Sequence, residues 1–486
     1  MPSFVKGSPG PPPVTIDGVK RVLAGIVLLG LTAAAVYGYT ASERERSYRE
    51  RLTTGDNALS QDNTSAAIEA FSGAITLKPQ SMIGYLKRGQ TYRRRGEIPA
   101  AIRDLRRASD LDPSATTPLE ELGDAYLEDT PPRYSSAAER YAAYVKLDNR
   151  APRVLYKLAY AYYNYRDTTE AIDALNAAIA LDDRFAEAYY LLGLCERDAQ
   201  HPGPARAALE KSIGLQPALL HAREELADLA AATGHRDYRL EQLKALTALD
   251  PGGSREVALG LEYAREGLPD MAILTLKRTT EQYPDYPYAY VALGRVWLEI
   301  AQTHDDRGAL RKALVALEGA VGSDGSSEAL TLFGRALLLT PDVQTAERML
   351  QEATQKFPAD PHAFAYLADA SERLGHYASA RSALLDYAAL RGDEADPRRR
   401  AAEATRVANL SLRMNQPAAA ATYFLRAADD SPSDVSLLAR AADAQLRAGD
   451  ADTARVTITN ALAKDPENPA ALEVARRLIP MRRPGA

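Results

Sequence analysis

Histidine and cysteine are the residues of this chain with the widest choice of chemistry, since both bind metals and a thiolate is a nucleophile. The six histidines are His201, His221, His235, His304, His362 and His376. None of them forms an HExxH or HxxxH pair, which would place two imidazoles on one face of a helix. Cys195 is the only cysteine and has no histidine beside it in sequence. We therefore expect a buried structural thiol and predict no catalytic site, metal or cofactor.

Length, charge and aromatic content narrow the class of protein further. The 486 residues exceed what a single hydrophobic core usually organises. A net charge of -6 is spread thinly over the chain and leaves no basic stripe, so we predict no binding to nucleic acid. Tyrosine (26) far exceeds phenylalanine (7) and tryptophan (1), which indicates many aromatic side chains that keep one end in water.

A pattern of an alanine, a large residue four positions later and a final turn residue returns about every 34 residues. The segment "AAIEAFSGAITLKP", Ala66 to Pro79, is followed by "AAIRDLRRASDLDP", Ala100 to Pro113. Extending the pattern gives twelve units, and a period this stable is typical of a solenoid. Eleven units carry the alanine, at Ala67, Ala101, Ala137, Ala171, Ala205, Ala272, Ala313, Ala346, Ala380, Ala420 and Ala454. The sixth unit has Arg239 in its place.

Each unit predicts two antiparallel helices. The first half has a Leu-Gly or Leu-Ala pair followed by an aromatic residue, as in Leu122-Gly123 with Tyr126, and lines one helical face with apolar residues. A turn that often holds glycine, such as Gly96, follows. The second half places the alanine and the large residue on one face, and a proline ends that helix. One pair cannot bury its apolar face alone, so successive pairs must stack.

These features together resemble the tetratricopeptide repeat family, from Tyr48 to about Pro466. The resemblance implies an all-α fold, a right-handed α-solenoid of about twelve helix pairs. The predicted regions are a disordered proline-rich tail over 1–21, a transmembrane anchor over 22–41, the repeats over 48–468, a capping helix over 469–479 and a tail over 480–486. The repeat is interrupted by extra residues around Thr130 to Pro132, from Ala301 to Lys312 and from Arg391 to Arg400.

In this family the first helix of each pair lines a concave groove that holds peptides, and the resemblance places the groove positions here. In the fourth unit they are Arg153, Tyr156, Tyr160, Tyr163 and Asn164, and in the fifth Glu187, Tyr190, Leu194, Arg197 and Asp198. Tyrosine and arginine combine large contact area with polar tips, as interface hot spots do. We predict a site for protein or peptide partners formed by Arg153, Tyr156, Tyr160, Tyr163, Asn164, Tyr190 and Arg197. Alternatively, several of these tyrosines pack between helices and only reach water at one end.

Family members that bind chaperone tails use a clamp of lysine and asparagine on three successive first helices. Arg153 and Lys157 fit the third helix of that clamp. Leu86, Gln90 and Glu121 occupy positions where the clamp residues would stand. We therefore do not predict binding of a chaperone C-terminal tail.

Charged residues line the first helices of the second and third units. Arg93 and Arg94 belong to the second unit, and Glu120, Asp124 and Glu128 to the third. Such runs are typical of solvated faces, although a partner of mixed charge would be steered by them.

A membrane anchor is predicted near the N terminus. Val22 to Ala41 contain no charge, and twenty helical residues reach about 30 Å, the thickness of a hydrocarbon core. Tyr37 and Tyr39 lie where an interfacial aromatic belt would place them. The alternative is a cleaved signal peptide, which the alanines at 33–35 favour.

The anchor also suggests an orientation and a contact. Lys20 and Arg21 touch the apolar segment, which favours a cytoplasmic tail and a repeat domain outside the cytoplasm, in a single-pass protein of the inner membrane. Gly30, Ala34 and Gly38 repeat at four-residue spacing, a face through which two anchors would pack as a homodimer.

Two functions remain in contention. The first is a non-enzymatic, membrane-anchored scaffold that holds extended segments of partner proteins in bacterial envelope assembly or export. Its bacterial setting follows from resemblance to anchored repeat proteins. The alternative is a carbohydrate-handling component of exopolysaccharide export or of a glycosyltransferase system, because aromatic faces also stack on sugars. The repeats occupy nearly the whole chain, so we predict that the protein is not an enzyme.

Overall fold

The computed structural model describes residues 16–391 and 396–478 of the chain. Throughout those residues the regular secondary structure is helical, in 25 α-helices that follow the order of the twelve predicted units, two to a unit, with one further helix after them. The chain divides into two compact units, residues 1–233 and 234–486. Residues 1–15 of the predicted N-terminal tail, Ile479 of the predicted capping helix and the tail over 480–486 lie outside the described residues.

The first unit is a stack of helix pairs. Its helices are α1 (Ile16–Ser60), α2 (Thr64–Leu77), α3 (Met82–Arg94), α4 (Ile98–Leu111), α5 (Thr116–Leu127), α6 (Tyr134–Leu147), α7 (Pro152–Tyr165), α8 (Thr168–Leu181), α9 (Ala186–Asp198), α10 (Pro202–Leu215) and α11 (Leu220–Ala232). Each packs against the next along the chain, and α3 meets α5, α7 meets α9 and α9 meets α11. The odd-numbered helices are the first helices of the pairs, so these contacts align their faces from one pair to the next.

The second unit repeats this arrangement. Its helices are α12 (Arg236–Leu249), α13 (Gly253–Arg265), α14 (Pro269–Gln282), α15 (Pro287–His304), α16 (Arg307–Ser323), α17 (Ser327–Leu338), α18 (Val343–Gln355), α19 (Pro361–Leu374), α20 (Tyr377–Arg391), α21 (Pro397–Arg413), α22 (Pro417–Asp430), α23 (Val435–Arg447), α24 (Ala451–Lys464) and α25 (Pro469–Leu478). The last helix packs against both α23 and α24. It buries Ala471, Val474 and Leu478 against the final pair.

The alanine and the large residue of the repeat form the core of each pair. All eleven repeat alanines have fully buried side chains, as do the large residues Phe71, Leu105 and Tyr141. A Cβ atom added at Gly123 would lie 2.5 Å from the ring of Tyr141. The small residue of the first helix is therefore the surface on which the large residue of the second helix packs, as the sequence predicts.

Prolines and glycines end the helices where the sequence places them. Lys78 and Asp112 cap the C termini of α2 and α4 directly before prolines, which cannot continue a helix. Gly96 and Gly375 take φ angles of +79° and +80° in the turns between paired helices, a region that favours glycine. These two positions explain why the turn of the repeat so often carries that residue.

The interruptions of the repeat lengthen helices or loops without breaking the stack of pairs. Residues 301–312 extend α15 to 18 residues and α16 to 17, against 13 to 14 in most pairs. Residues 391–400 are divided between a lengthened α20, a lengthened α21 of 17 residues and residues 392–395, which lie outside the described part. Residues 130–132 form the loop between α5 and α6.

The first helix joins the candidate anchor to the first repeat. It runs unbroken for 45 residues, from Ile16 to Ser60. Residues 16–21, assigned above to a disordered tail, are therefore helical, and Asp17 lies in the first turn, where a negative charge favours the helix N terminus. The helix is long and apolar enough to cross a membrane, a description that a signal sequence also fits. From Tyr48, which is buried, it packs against α2 as the first helix of pair one.

Candidate partner-binding face

The predicted groove residues of the fourth and fifth units lie on α7 and α9, two first helices in contact. We call this surface the tyrosine face: Arg153, Tyr156, Tyr160, Tyr163 and Asn164 on α7, with Glu187, Tyr190, Leu194, Arg197 and Asp198 on α9. The phenol of Tyr163 donates a hydrogen bond to Oδ2 of Asp198, 3.0 Å away, and so joins the two helices. Residues 35 positions apart in sequence thus form one surface.

The tyrosines of this face are not equally accessible. Tyr160 exposes 39% of its surface, and its ring stands edge-on to that of Tyr134, with centroids 6.4 Å apart. Tyr156 is half-buried and packs on Phe185, with ring centroids 5.2 Å apart, and burial raises its pKa. Burial and the hydrogen bond to Asp198 raise the pKa of Tyr163 to about 12. The alternative of tyrosines packed between helices thus describes Tyr156, whereas Tyr160 presents a ring to solvent.

The polar residues at the margin are held by neighbouring groups. Arg197 forms ion pairs with Asp198 at 2.8 Å and with Glu225 of α11. Burial disfavours the charge of Arg197, but its hydrogen bonds to these carboxylates raise its pKa overall. Asn164 donates from Nδ2 to the carbonyl oxygen of Tyr160 within its own helix, 2.8 Å away. Arg153, which is exposed, pairs with Glu120 of α5.

A network of ion pairs links α3, α5 and α7 beside the tyrosine face. Arg93 of α3 reaches Glu121 at 2.5 Å and Asp124 at 3.2 Å. Lys157 of α7 reaches Glu120 at 2.8 Å and Asp124 at 2.7 Å. All of these side chains are between 14 and 25% exposed, so Arg93, Glu120 and Asp124 do not form solvated faces as expected. Arg94 and Glu128 are 54% and 47% exposed and do lie at a solvated surface.

Below this network, the phenol of Tyr141 donates a hydrogen bond of 2.6 Å to Oδ1 of Asp124. Burial and the adjacent carboxylate raise the pKa of Tyr141. The sequence carried one signal of the network: cations and carboxylates stand at equivalent positions of neighbouring first helices. Lys157, which fits the third helix of the clamp, thus binds two carboxylates of the neighbouring first helix.

Cys195, His201 and His376 are residues with catalytic potential whose surroundings the structure describes. Cys195 is fully buried in α9, and burial raises the pKa of its thiol to about 12, so the thiolate is scarce at neutral pH. His201 contacts Glu196 at 2.9 Å, and His376 contacts Glu347 at 3.0 Å. Among the described residues, no three of the histidines, cysteines, aspartates and glutamates are placed to hold a metal ion.

Relatives of the chain are repeat proteins. A 108-residue segment, 22% of this chain, is 33% identical to the "Small glutamine-rich tetratricopeptide repeat-containing protein 2" of Mycosarcoma maydis, of which it spans 30%. The crystal structure of MamA is 28% identical, covers 35% of this chain and 91% of its own, and superposes with a TM-score of 0.33. That of YrrB, titled "a TPR protein with an unusual peptide-binding site", is 21% identical, covers 39% of this chain and 96% of its own, and has a TM-score of 0.35.

The family model described as "Tetratricopeptide repeat" matches both units of the chain. The matches cover residues 52–116, 86–152, 132–184, 156–219, 331–398 and 408–469. Together they include more than half of the sequence and follow the helix pairs described above. Such a fold is typically a non-catalytic scaffold suited to binding other proteins, and the match indicates no catalytic family. The chain belongs to the tetratricopeptide repeat family.

Proposed function

We propose that this protein is a membrane-anchored scaffold that holds an extended segment of a partner protein on the tyrosine face. The observation that carries the proposal is the exposed ring of Tyr160, on a face that also carries the half-buried Tyr156 and Tyr190 and the arginines Arg153 and Arg197. An accessible aromatic ring with arginines at its edge is the composition of an interface hot spot. The ion pairs from α3 to α7 fix the neighbouring helices, so a partner would bind a preformed surface.

A protein partner fits this face better than a sugar. Sugar stacking needs aromatic faces open to solvent, but Tyr156 packs on Phe185 and the hydroxyl of Tyr163 is bound to Asp198. An extended peptide needs separated donors and acceptors beside apolar contacts, which Arg153, Tyr160 and Asp198 supply. These contacts support the scaffold over the carbohydrate-handling alternative.

The anchor in this proposal is the apolar part of α1. Because one unbroken helix contains the apolar residues 22–41 and the first helix of pair one, the repeats would begin close to the membrane surface. Gly30 and Gly38 have open space where a side chain would stand, so two such helices would pack through Gly30, Ala34 and Gly38. Lys20 and Arg21 support a cytoplasmic N terminus with the repeats outside, in an envelope assembly or export machine.

A photo-crosslinking experiment in intact membranes tests the proposal. The crosslinking amino acid p-benzoylphenylalanine replaces Tyr160 in one variant and Tyr165 in a matched control. Tyr165 is 59% exposed at the end of the same helix and lies beside Ala142 and Lys146 along α6, whereas Tyr160 meets α6 at its first residue, Tyr134. We expect a discrete crosslinked protein from position 160, weakened by Tyr190→Ala, and none from position 165. Equal crosslinking from both positions, or crosslinking from 165 alone, would show that the partner does not use the tyrosine face.

A further inference from the structure

The second unit contains a cavity of about 370 Å³ where the repeat is interrupted. It lies between α20, α21 and α22, and α20 and α21 are the helices lengthened by residues 391–400. Its described lining includes the apolar Leu384, Ala388 and Val407 and the charged Arg391, Glu403 and Arg426. The interruption thus coincides with a slot whose volume falls in the range of ligand sites, about 300–1,000 Å³.

The floor of this slot is apolar. Leu384, Ala404 and Val407 are buried at its base, and the half-buried Tyr423 forms one side. Ala388 adds a small side chain from α20, which leaves the space above the base unfilled. Such a floor would cover an apolar side chain of a ligand.

The rim carries a surplus of positive charge. Arg391 pairs with Glu403 at 3.0 Å, and Arg400 pairs with Asp430 at 2.6 Å. Arg426, on α22, is exposed and forms no ion pair with any residue in 16–391 or 396–478. Among the described residues of the lining there are thus three guanidinium groups and one carboxylate, that of Glu403.

We propose that this slot binds a short segment of a partner protein in which an acidic side chain stands beside an apolar one. The apolar side chain enters the slot over Val407 and Leu384, and the carboxylate pairs with Arg426. Glu403 favours a peptide over a free alkyl carboxylate, because its oxygens accept hydrogen bonds from backbone N–H groups, which an alkyl carboxylate lacks. The site is separate from the tyrosine face, so the crosslinking result at Tyr160 does not decide it.

The test measures binding of a fluorescein-labelled peptide of repeated Asp-Leu-Glu-Phe to the full chain in nanodiscs, by fluorescence anisotropy. Two variants alter the slot: Arg426→Glu reverses one of the positive charges on the rim, and Ala388→Phe fills the space. Arg348→Glu is the matched control, since Arg348 is exposed on α18 and forms no ion pair with the described residues. We expect saturable binding that weakens at least tenfold in both slot variants, remains unchanged in the control and falls as salt is raised.

Two comparison ligands complete the experiment. A peptide with lysine in place of Asp and Glu should not bind. Dodecanoate should not displace the acidic peptide; full displacement would mean that the slot takes small amphiphilic carboxylates instead. No binding of the acidic peptide at 1 mM, or equal binding by wild type and Arg426→Glu with the circular dichroism spectrum unchanged, would overturn the proposal.

Discussion

Arg239 is the residue at which this chain departs most sharply from its own repeat. It occupies the position that eleven other units fill with a fully buried alanine. Its Nη1 atom lies 2.8 Å from Oε2 of Glu262, a carboxylate whose side chain is only 2% exposed. Arg265 reaches the same oxygen at 3.2 Å but is itself 57% exposed. The arginine, 23% exposed, is therefore accommodated here because α13 contributes a buried negative charge to pair with it.

Replacing Arg239 with the alanine that the other repeats carry should destabilise the second unit. Arg239→Ala leaves Glu262 buried with only an exposed partner, and breaking a buried pair in this way costs about 3 kcal/mol. Urea unfolding followed through the fluorescence of Trp297, the single tryptophan, measures the loss. Adding Glu262→Leu to this variant should restore most of the lost free energy of unfolding, because the uncompensated buried charge is then removed. Arg348→Ala, at an exposed arginine, should stay within about 0.5 kcal/mol of wild type; an Arg239→Ala variant as stable as that control would contradict the argument.

At the scale of elements, the helix pairs could be predicted from the sequence because they depend on the spacing of residues close together in the chain. The alanines, the large residues and the prolines specify twelve helix pairs because each acts within one pair. The ion pairs of Lys157 with Glu120 and Asp124 join residues 33 to 37 positions apart, so they require the register between neighbouring first helices. The continuity of α1 was also not predicted. At Ala41 the composition changes from apolar to charged, but glutamate and arginine favour helix as strongly as leucine does, so nothing ends it there.

The continuous α1 leads to a test of the anchor. If α1 spans the membrane, the mature chain keeps its apolar segment, has the mass of the full chain and stays in membranes washed with carbonate. Leu28→Arg together with Leu31→Arg should release the chain, since each arginine near a helix centre costs about 2.5–3.5 kcal/mol of insertion. The matched control, Arg44→Gln with Arg46→Gln beyond the apolar segment, should remain membrane-bound. A mature mass that lacks the apolar residues would identify a cleaved signal peptide and remove the anchor from the proposed function.

At the scale of the whole molecule, the main contacts within each unit join described helices that are adjacent or next but one along the chain, so a local defect should stay local. Gly294→Ala is such a defect, because a Cβ atom there would lie 2.4 Å from Cγ of Leu317 in the core of the α15–α16 pair. Overpacking of this kind typically costs about 1–3 kcal/mol. Hydrogen exchange followed by mass spectrometry should show faster exchange in α15 to α18, with α3 to α8 unchanged.

The same substitution at a second glycine shows whether the faster exchange comes from overpacking or from any change of glycine to alanine. Gly322 is an exposed residue of α16 with nothing within 4 Å of the Cβ position, so Gly322→Ala should slow exchange slightly, as alanine favours helix by about 1 kcal/mol over glycine. If Gly294→Ala instead accelerated exchange equally in all pairs, the chain would unfold as one cooperative body. If unfolding were coupled across all the helix pairs in this way, a ligand in the slot beside Arg426 would also stabilise the tyrosine face. Local exchange would mean that the two sites are occupied independently.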